Sequence, residues 1–313
     1  MNEFFEDVWR GLSASPKYLQ SKYFYDEAGD AIFKEIMDCP EYYLTNCELD
    51  VFTNQSDQLV NAILKHLTEF DIIELGPGDC TKSVFLLEAL VNRNVDFTYY
   101  PIDISTNIIS QLNEKLPLQV PGLKIHGLNG DYLGMLDELK EISTRNKVVL
   151  FLGSSIGNRP LEETDEFYKV LVSHLLPGDL VLTGFDLKKD AATILAAYND
   201  KEGITRRFNL NLLQRINDTL DADFDLKQFE HKPEYSEQTG ACRSYLASRK
   251  PQRVRIGEVG WIHFMEGEQI FMEISQKYTV QQTDDIAQAT GFAVVHHFYD
   301  SKEWFLDALW QCR

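Results

Sequence analysis

The chain has 313 residues, with 30 Lys plus Arg against 49 Asp plus Glu, for a formal charge of −19 and a pI near 4.7. Such acidity repels phosphate over most of the surface and argues against nucleic acid or an anionic membrane as a partner. With 44% hydrophobic and 12% aromatic residues, the chain has enough apolar material for a full core, which excludes disorder as its main state.

The N-terminal stretch Met1 to Asp7 is acidic and lacks the basic-then-apolar order of a signal peptide. Residues 1–69 read as mostly helical, with a long amphipathic helix near Glu48–His66. From Phe70 to Asp186 short apolar runs alternate with amphipathic stretches: Phe70–Leu75, a helix over Thr81–Leu90, Phe97–Ile102, a helix over Asn107–Lys115, and a weak strand at Lys124–His126. Lys147–Gly153 and Asp179–Phe185 follow, with a helix from Glu163 to Leu175 between them. Strands separated by helices imply βαβ units and a parallel sheet. Residues 190–220 look helical, and after Phe224 the pattern turns to strands at Cys242–Ser248, Val254–Ile256, Gln269–Lys277, Phe292–Tyr299 and Trp304–Trp310. The expected fold class is α/β. A Rossmann-like core over residues 60–195 carries an appended α+β portion, made of a helical N-terminal region, 1–59, and a β-rich region, 196–313. Five scattered cysteines with no C-x-x-C pair predict neither a disulfide framework nor a metal site, and no apolar run approaches the ~20 residues of a membrane span. The expectation is a soluble cytoplasmic monomer.

Glu74-Leu75-Gly76-Pro77-Gly78-Asp79 lies where the first strand ends and a helix begins. Glycines there permit a tight turn and close approach of a ligand to backbone N–H groups. A dinucleotide fingerprint needs a third glycine where Thr81 stands, so the site suits a ligand without a pyrophosphate, such as S-adenosylmethionine. Asp103 ends the second strand, where a carboxylate can accept both ribose hydroxyls, and Asp131-Tyr132 follows the third, where an acid and an aromatic can flank an adenine. Taken singly, Asp103 and Asp131 read as helix caps and Lys82 as a solvated helix residue.

Further stretches add to these: Tyr23-Phe24-Tyr25-Asp26, Pro40-Glu41-Tyr42-Tyr43, Phe151 to Asn158 (FLGSSIGN), Phe208-Asn209-Leu210-Asn211-Leu212-Leu213 and Glu273-Ile274-Ser275-Gln276-Lys277-Tyr278. In this order, with ELGPGD and PIDIS, they resemble the S-adenosylmethionine-dependent histidine Nα-methyltransferases of ergothioneine biosynthesis. The resemblance implies cofactor contacts at Gly76, Lys82, Asp103, Asp131 and Tyr132. It implies substrate contacts at Tyr25, Phe33, Tyr42, Asn158 and Tyr198, with Glu273 and Ser275 reading the imidazole. It also implies a trimethylated betaine product, made by three successive transfers.

The residue chemistry fits that implication. Methyl transfer from a sulfonium is an in-line displacement that needs nucleophile and methyl about 3–3.5 Å apart, and no metal. Asn158 offers an acceptor for an amine and a donor for a carboxylate, Tyr198 a second hydroxyl for the carboxylate, and Tyr25 a hydroxyl to steer the amine. Tyr25 and Asn158 are therefore the candidate catalytic residues. Aromatic walls tolerate a growing quaternary ammonium. Glu273 and Ser275 are two apart in a strand pattern, so both face one side and can bracket an imidazole.

One departure stands out. Histidine-specific relatives usually carry a Glu-Met pair before Tyr245-Leu246, whereas this chain has Arg243-Ser244, with Ser244 small and polar where a soft apolar side chain is expected. Methylation of another aromatic or imidazole-bearing amine therefore stands as an alternative. So does a non-catalytic sensor that binds S-adenosylmethionine. Individually, Phe33 and Tyr42 suit a core, and Glu273 the wet face of an antiparallel strand.

Overall fold

The computed structural model describes residues 3–313; Met1 and Asn2, which begin the acidic N-terminal stretch, lie outside the described residues. In chain order the first elements are α1 (Glu3–Ser13), β1 (Lys17–Tyr18), α2 (Glu27–Met37), α3 (Tyr43–Leu64), β2 (Phe70–Leu75), α4 (Ser83–Asn92), β3 (Thr98–Asp103) and α5 (Thr106–Gln119). Then come β4 (Lys124–Ile125), β5 (Leu128–Asn129), α6 (Tyr132–Ile142), β6 (Asn146–Phe151), α7 (Leu161–Ser173), β7 (Leu180–Asp186), α8 (Ala191–Ala197) and α9 (Ile204–Leu220). The last are β8 (Phe229–Tyr235), β9 (Ala241–Ser248), β10 (Gln252–Ile256), β11 (Gly260–Phe264), β12 (Gln269–Gln276), α10 (Val280–Ala289), β13 (Phe292–Tyr299) and β14 (Phe305–Cys312). Two compact units result: residues up to Tyr43 with Lys189–Ser275, and Leu44–Lys188 with Gln276–Arg313.

The second unit is built on an eight-stranded sheet of order β13-β14-β7-β6-β2-β3-β4, with β5 also pairing with β3. The strands from β7 to β4 run parallel, and β14 lies antiparallel to both β7 and β13. Every residue of β2 and β7 is buried, as expected of central parallel strands covered on both faces. Alternate residues feed two cores: Ile72 joins Phe52, Leu87, Tyr99 and Leu182, and Ile73 joins Leu136, Phe151, Tyr168 and Trp310. Because the strands are parallel, β2, β3, β5 and β6 end on one edge of the sheet, where ligands of open α/β sheets bind. The strands near residues 292–310, expected in the appended portion, instead complete this sheet. Their apolar alternation identifies them as strands but not their partners.

The first unit holds a four-stranded sheet of order β1-β12-β9-β8 and the β10–β11 hairpin. Phe24, Phe208, Leu212, Phe229, Leu246 and Met272 form its core. Strand β8 escapes the sequence reading because His231, Lys232, Pro233 and Glu234 dilute its apolar signal; it is an edge strand, where Pro is tolerated. All five cysteines are buried. Among the described residues, no helix is long and apolar enough to cross a membrane.

Candidate functional site

In the sheet unit, the turn after β2 brings Gly76 and Tyr132 together. Gly76 has φ +69°, and a Cβ there would lie 2.6 Å from the Tyr132 hydroxyl. Only glycine meets both demands, one conformational and one steric. The Gly76 N–H donates to the Ile102 carbonyl at 2.9 Å, tying the turn to β3. Asp103 accepts from the Ser105 N–H at 2.8 Å, while Ser105 itself caps α5. The capping role that Asp103 could have filled thus falls two residues later, with Asp103 left at the strand end. Asp131 does cap α6, accepting from the Gly134 N–H at 2.9 Å, and so places Tyr132 in the first turn of that helix. Burial, reinforced by the Asp103 charge, pushes Tyr132 up to about 12, so its hydroxyl keeps its proton.

Lys82 is not a solvated helix residue. Its ammonium pairs with Glu48, a fully buried carboxylate on α3 that also accepts from the Gly153 N–H at 2.8 and 2.9 Å. Burial alone would lower Lys82, but Glu48 outweighs it and holds the ammonium above the ordinary lysine value. Burial, then the Glu48 charge, pushes Asp307 well above the usual carboxylate range. Glu74 at the end of β2 is buried too, which pushes it up to about 7 against the hydroxyls of Tyr99 and Ser83; Tyr99 donates to it at 2.6 Å. The segment after β6 turns through Gly153 (φ +72°) and Ser154 (φ +54°) into a short helical turn at Ser155–Asn158. Ser154 accepts from the Asp186 N–H at 3.1 Å. Gly157 packs so closely on Gln276 that a Cβ would meet its carbonyl oxygen at 2.8 Å. Asn158, at the end of this fixed turn, is exposed.

In the other unit, α9 organises the remaining candidates. Phe208 packs against Tyr25 and Phe33 at ring-centroid distances of 5.8 and 5.7 Å, and Tyr25 and Phe33 meet edge-on at 5.6 Å. Asn211 donates to Asp26 at 3.0 Å, and Asp26 caps α2 through the Gly29 N–H, which fixes the backbone beside Tyr25. Tyr25 is 43% exposed, unlike a core tyrosine. Tyr42 and Tyr198 meet edge-on at 6.2 Å. The Tyr198 hydroxyl donates to Ser275 at 2.6 Å, and Asn209 donates to Glu273 at 3.0 Å. Ser275 and Glu273 are thus each held by a partner from α9 or the end of α8. Ser244 is buried on β9 opposite Pro233, while its neighbours Arg243 and Tyr245 line a separate groove with Lys17 and Phe271.

A family profile described as histidine-specific methyltransferase, SAM-dependent, matches residues 4–312. The chain is 32% identical over 295 residues to histidine N-alpha-methyltransferase of Mycolicibacterium smegmatis, covering 94% of this chain and 90% of that protein. The Mycobacterium tuberculosis protein of the same name is also 32% identical, with the same coverage. Ergothioneine biosynthesis protein 1 of Neurospora crassa is 32% identical over 95% of this chain, which spans about a third (34%) of that longer protein. The chain belongs to the histidine-specific, S-adenosylmethionine-dependent methyltransferases.

In this methyltransferase the parallel sheet, with its reversed strand β14 set between β13 and β7, is the Rossmann-like methyltransferase fold. The residues present fit the cofactor: a turn whose Gly76 leaves no room for a Cβ, an aspartate at the end of the next strand, and a partly buried aromatic beside the turn. Sequence reasoning missed Glu48 and Asn209. A single glutamate in a long amphipathic helix carries no mark of burial. Asn209 lies within the Phe208–Leu213 stretch, yet an asparagine on a helix reads as surface until the helix is packed.

Proposed function

We propose that this enzyme transfers methyl groups from S-adenosylmethionine to the α-amine of histidine, successively, to give the trimethylated betaine. The observation that carries the reading is the anchored pair Glu273 and Ser275, a carboxylate and a hydroxyl from one strand held by Asn209 and Tyr198. That pair suits the two nitrogens of an imidazole, one donating and one accepting. When bound, the cofactor supplies an electrophilic methyl on a sulfonium. Gly76, Asp103, Asp131 and Tyr132 hold it, with Lys82, anchored by Glu48, beside the Gly153 turn. Asn158 binds the substrate amine and carboxylate, Tyr198 adds a hydroxyl, and Tyr25 steers the amine toward attack. Phe33 and Tyr42 complete an aromatic wall that accommodates a cationic, methylated amine. The substrate is a small molecule, and the enzyme works in the cytoplasm as a monomer; size-exclusion chromatography with light scattering checks the monomer.

Glu273→Ala tests the reading. It should cut kcat/KM for histidine by roughly 100-fold, the scale expected for a lost charge-assisted contact, and leave S-adenosylhomocysteine affinity within about twofold. Equal loss of cofactor affinity would remove Glu273 from the substrate site.

A further inference from the structure

Helix α9 contributes an asparagine whose packing alone does not explain it. Asn209 is fully buried in a row with Phe208, Leu212 and Leu213. Its amide nitrogen spends both hydrogens, one on the Thr205 carbonyl at 3.1 Å and one on the Glu273 carboxylate at 3.0 Å. Both partners only accept, so the amide cannot be flipped without setting its oxygen against them. The cost of this orientation is visible on the other side of the group. The Asn209 Oδ1 is buried and has no hydrogen-bond partner among the described residues. A side chain kept only to fill the helix face would be apolar, like Leu212 and Leu213, and would bury no such acceptor.

We infer that Asn209 is a positioning residue for substrate selection. It donates to Glu273 and fixes the direction in which that carboxylate meets the substrate ring, so that recognition by Glu273 depends on it. The inference rests on the reading of Glu273 as the group that receives the substrate ring. The same helix anchors the wall opposite in sequence: Phe208 packs on Tyr25 and Phe33, and Asn211 holds Asp26. The donor at 209 is thus one of three anchors within four residues of the helix, and the one that touches a titratable recognition group.

The test is a double-mutant cycle on the full chain, using Asn209→Leu and Glu273→Ala with histidine and S-adenosylmethionine. Asn209→Leu keeps the branching and the number of side-chain heavy atoms and loses the donor. Its KM for histidine should rise about tenfold or more, with kcat within about threefold and S-adenosylhomocysteine affinity unchanged. In the Glu273→Ala background the same substitution should add less than about twofold, because its effect travels through Glu273. Asn209→Asp keeps size and polarity but sets a second carboxylate against Glu273, and should raise KM further than Asn209→Leu. Equal effects of Asn209→Leu in both backgrounds, or a matching loss of cofactor affinity, would overturn the inference and leave Asn209 a packing residue. Wild-type turnover run alongside separates this from the substrate reading. If the wild type methylates another amine and not histidine, that reading fails. The cycle run on that amine still decides whether Asn209 acts through Glu273.

Discussion

Gly76→Ala places a methyl group where the structure has no room for one. Two costs follow. At φ +69° an L-side chain pays about 1–2 kcal/mol. The new Cβ also lies 2.6 Å from the Tyr132 hydroxyl, so the ring must move, and forced overpacking costs typically about 1–3 kcal/mol. If the displaced tyrosine is part of the cofactor site, about 1.4–3 kcal/mol should appear in cofactor binding, weakening it roughly 10- to 100-fold. Calorimetry with S-adenosylhomocysteine measures it. The structure adds a sharper consequence. The next Tyr132 atom, Cζ, would sit 3.6 Å from that Cβ, an ordinary contact. Tyr132→Phe in the Gly76→Ala background should therefore restore affinity rather than lower it further, with a coupling of about 1 kcal/mol or more. Strictly additive losses would show that the hydroxyl does not occupy that space.

Further outcomes test other parts. Asn158→Ala should lower kcat/KM for histidine by roughly 100-fold or more while leaving the thermal midpoint within a few degrees, since the side chain is exposed and buries little; near-wild-type kinetics would contradict its role. Glu48→Gln leaves the Lys82 ammonium without its buried counter-charge and should cost about 3 kcal/mol in denaturant unfolding, with Lys82→Met in the same chain recovering much of the loss. Glu74 has its folded pKa raised from 4.5 to about 7, so the folded protein keeps a proton that the unfolded chain releases in that window. Its stabilising share is present below pH 4.5 and is lost as pH rises to about 7, by roughly 3 kcal/mol. Glu74→Gln should flatten that part of the stability profile, and an unchanged slope between pH 5 and 7 would refute the assignment.

The sheet was legible because buried parallel strands are near-continuous apolar runs; Phe70–Leu75 and Leu180–Asp186 declare themselves. The placement of β13 and β14 was not, since pattern reveals a strand's faces but not its neighbours. The glycine turn, Asp103 and Asp131 could be located because turn and strand-end chemistry is local. Their detailed roles were less accessible: Ser105 does the capping that Asp103 could have done, and only the packed structure shows the Tyr132 hydroxyl against Gly76. Glu48, Asn209 and the Tyr198–Ser275 bond depend on residues 105, 64 and 77 positions apart. No local spacing encodes such meetings. Ser244 is a difference the sequence displays, and its burial on β9 shows that it belongs to the interior rather than to the exposed groove beside it.

Incubating the purified chain with S-adenosylmethionine and a panel of amino acids and imidazole amines decides whether the α-amine of histidine is the methyl acceptor. Mass spectrometry follows, with the methylated atom located by fragmentation. Histidine should gain three methyl groups, all on the α-nitrogen, in preference to every other amine. Methylation of a ring nitrogen, a preferred amine other than histidine, or cofactor binding without turnover on any amine would contradict it.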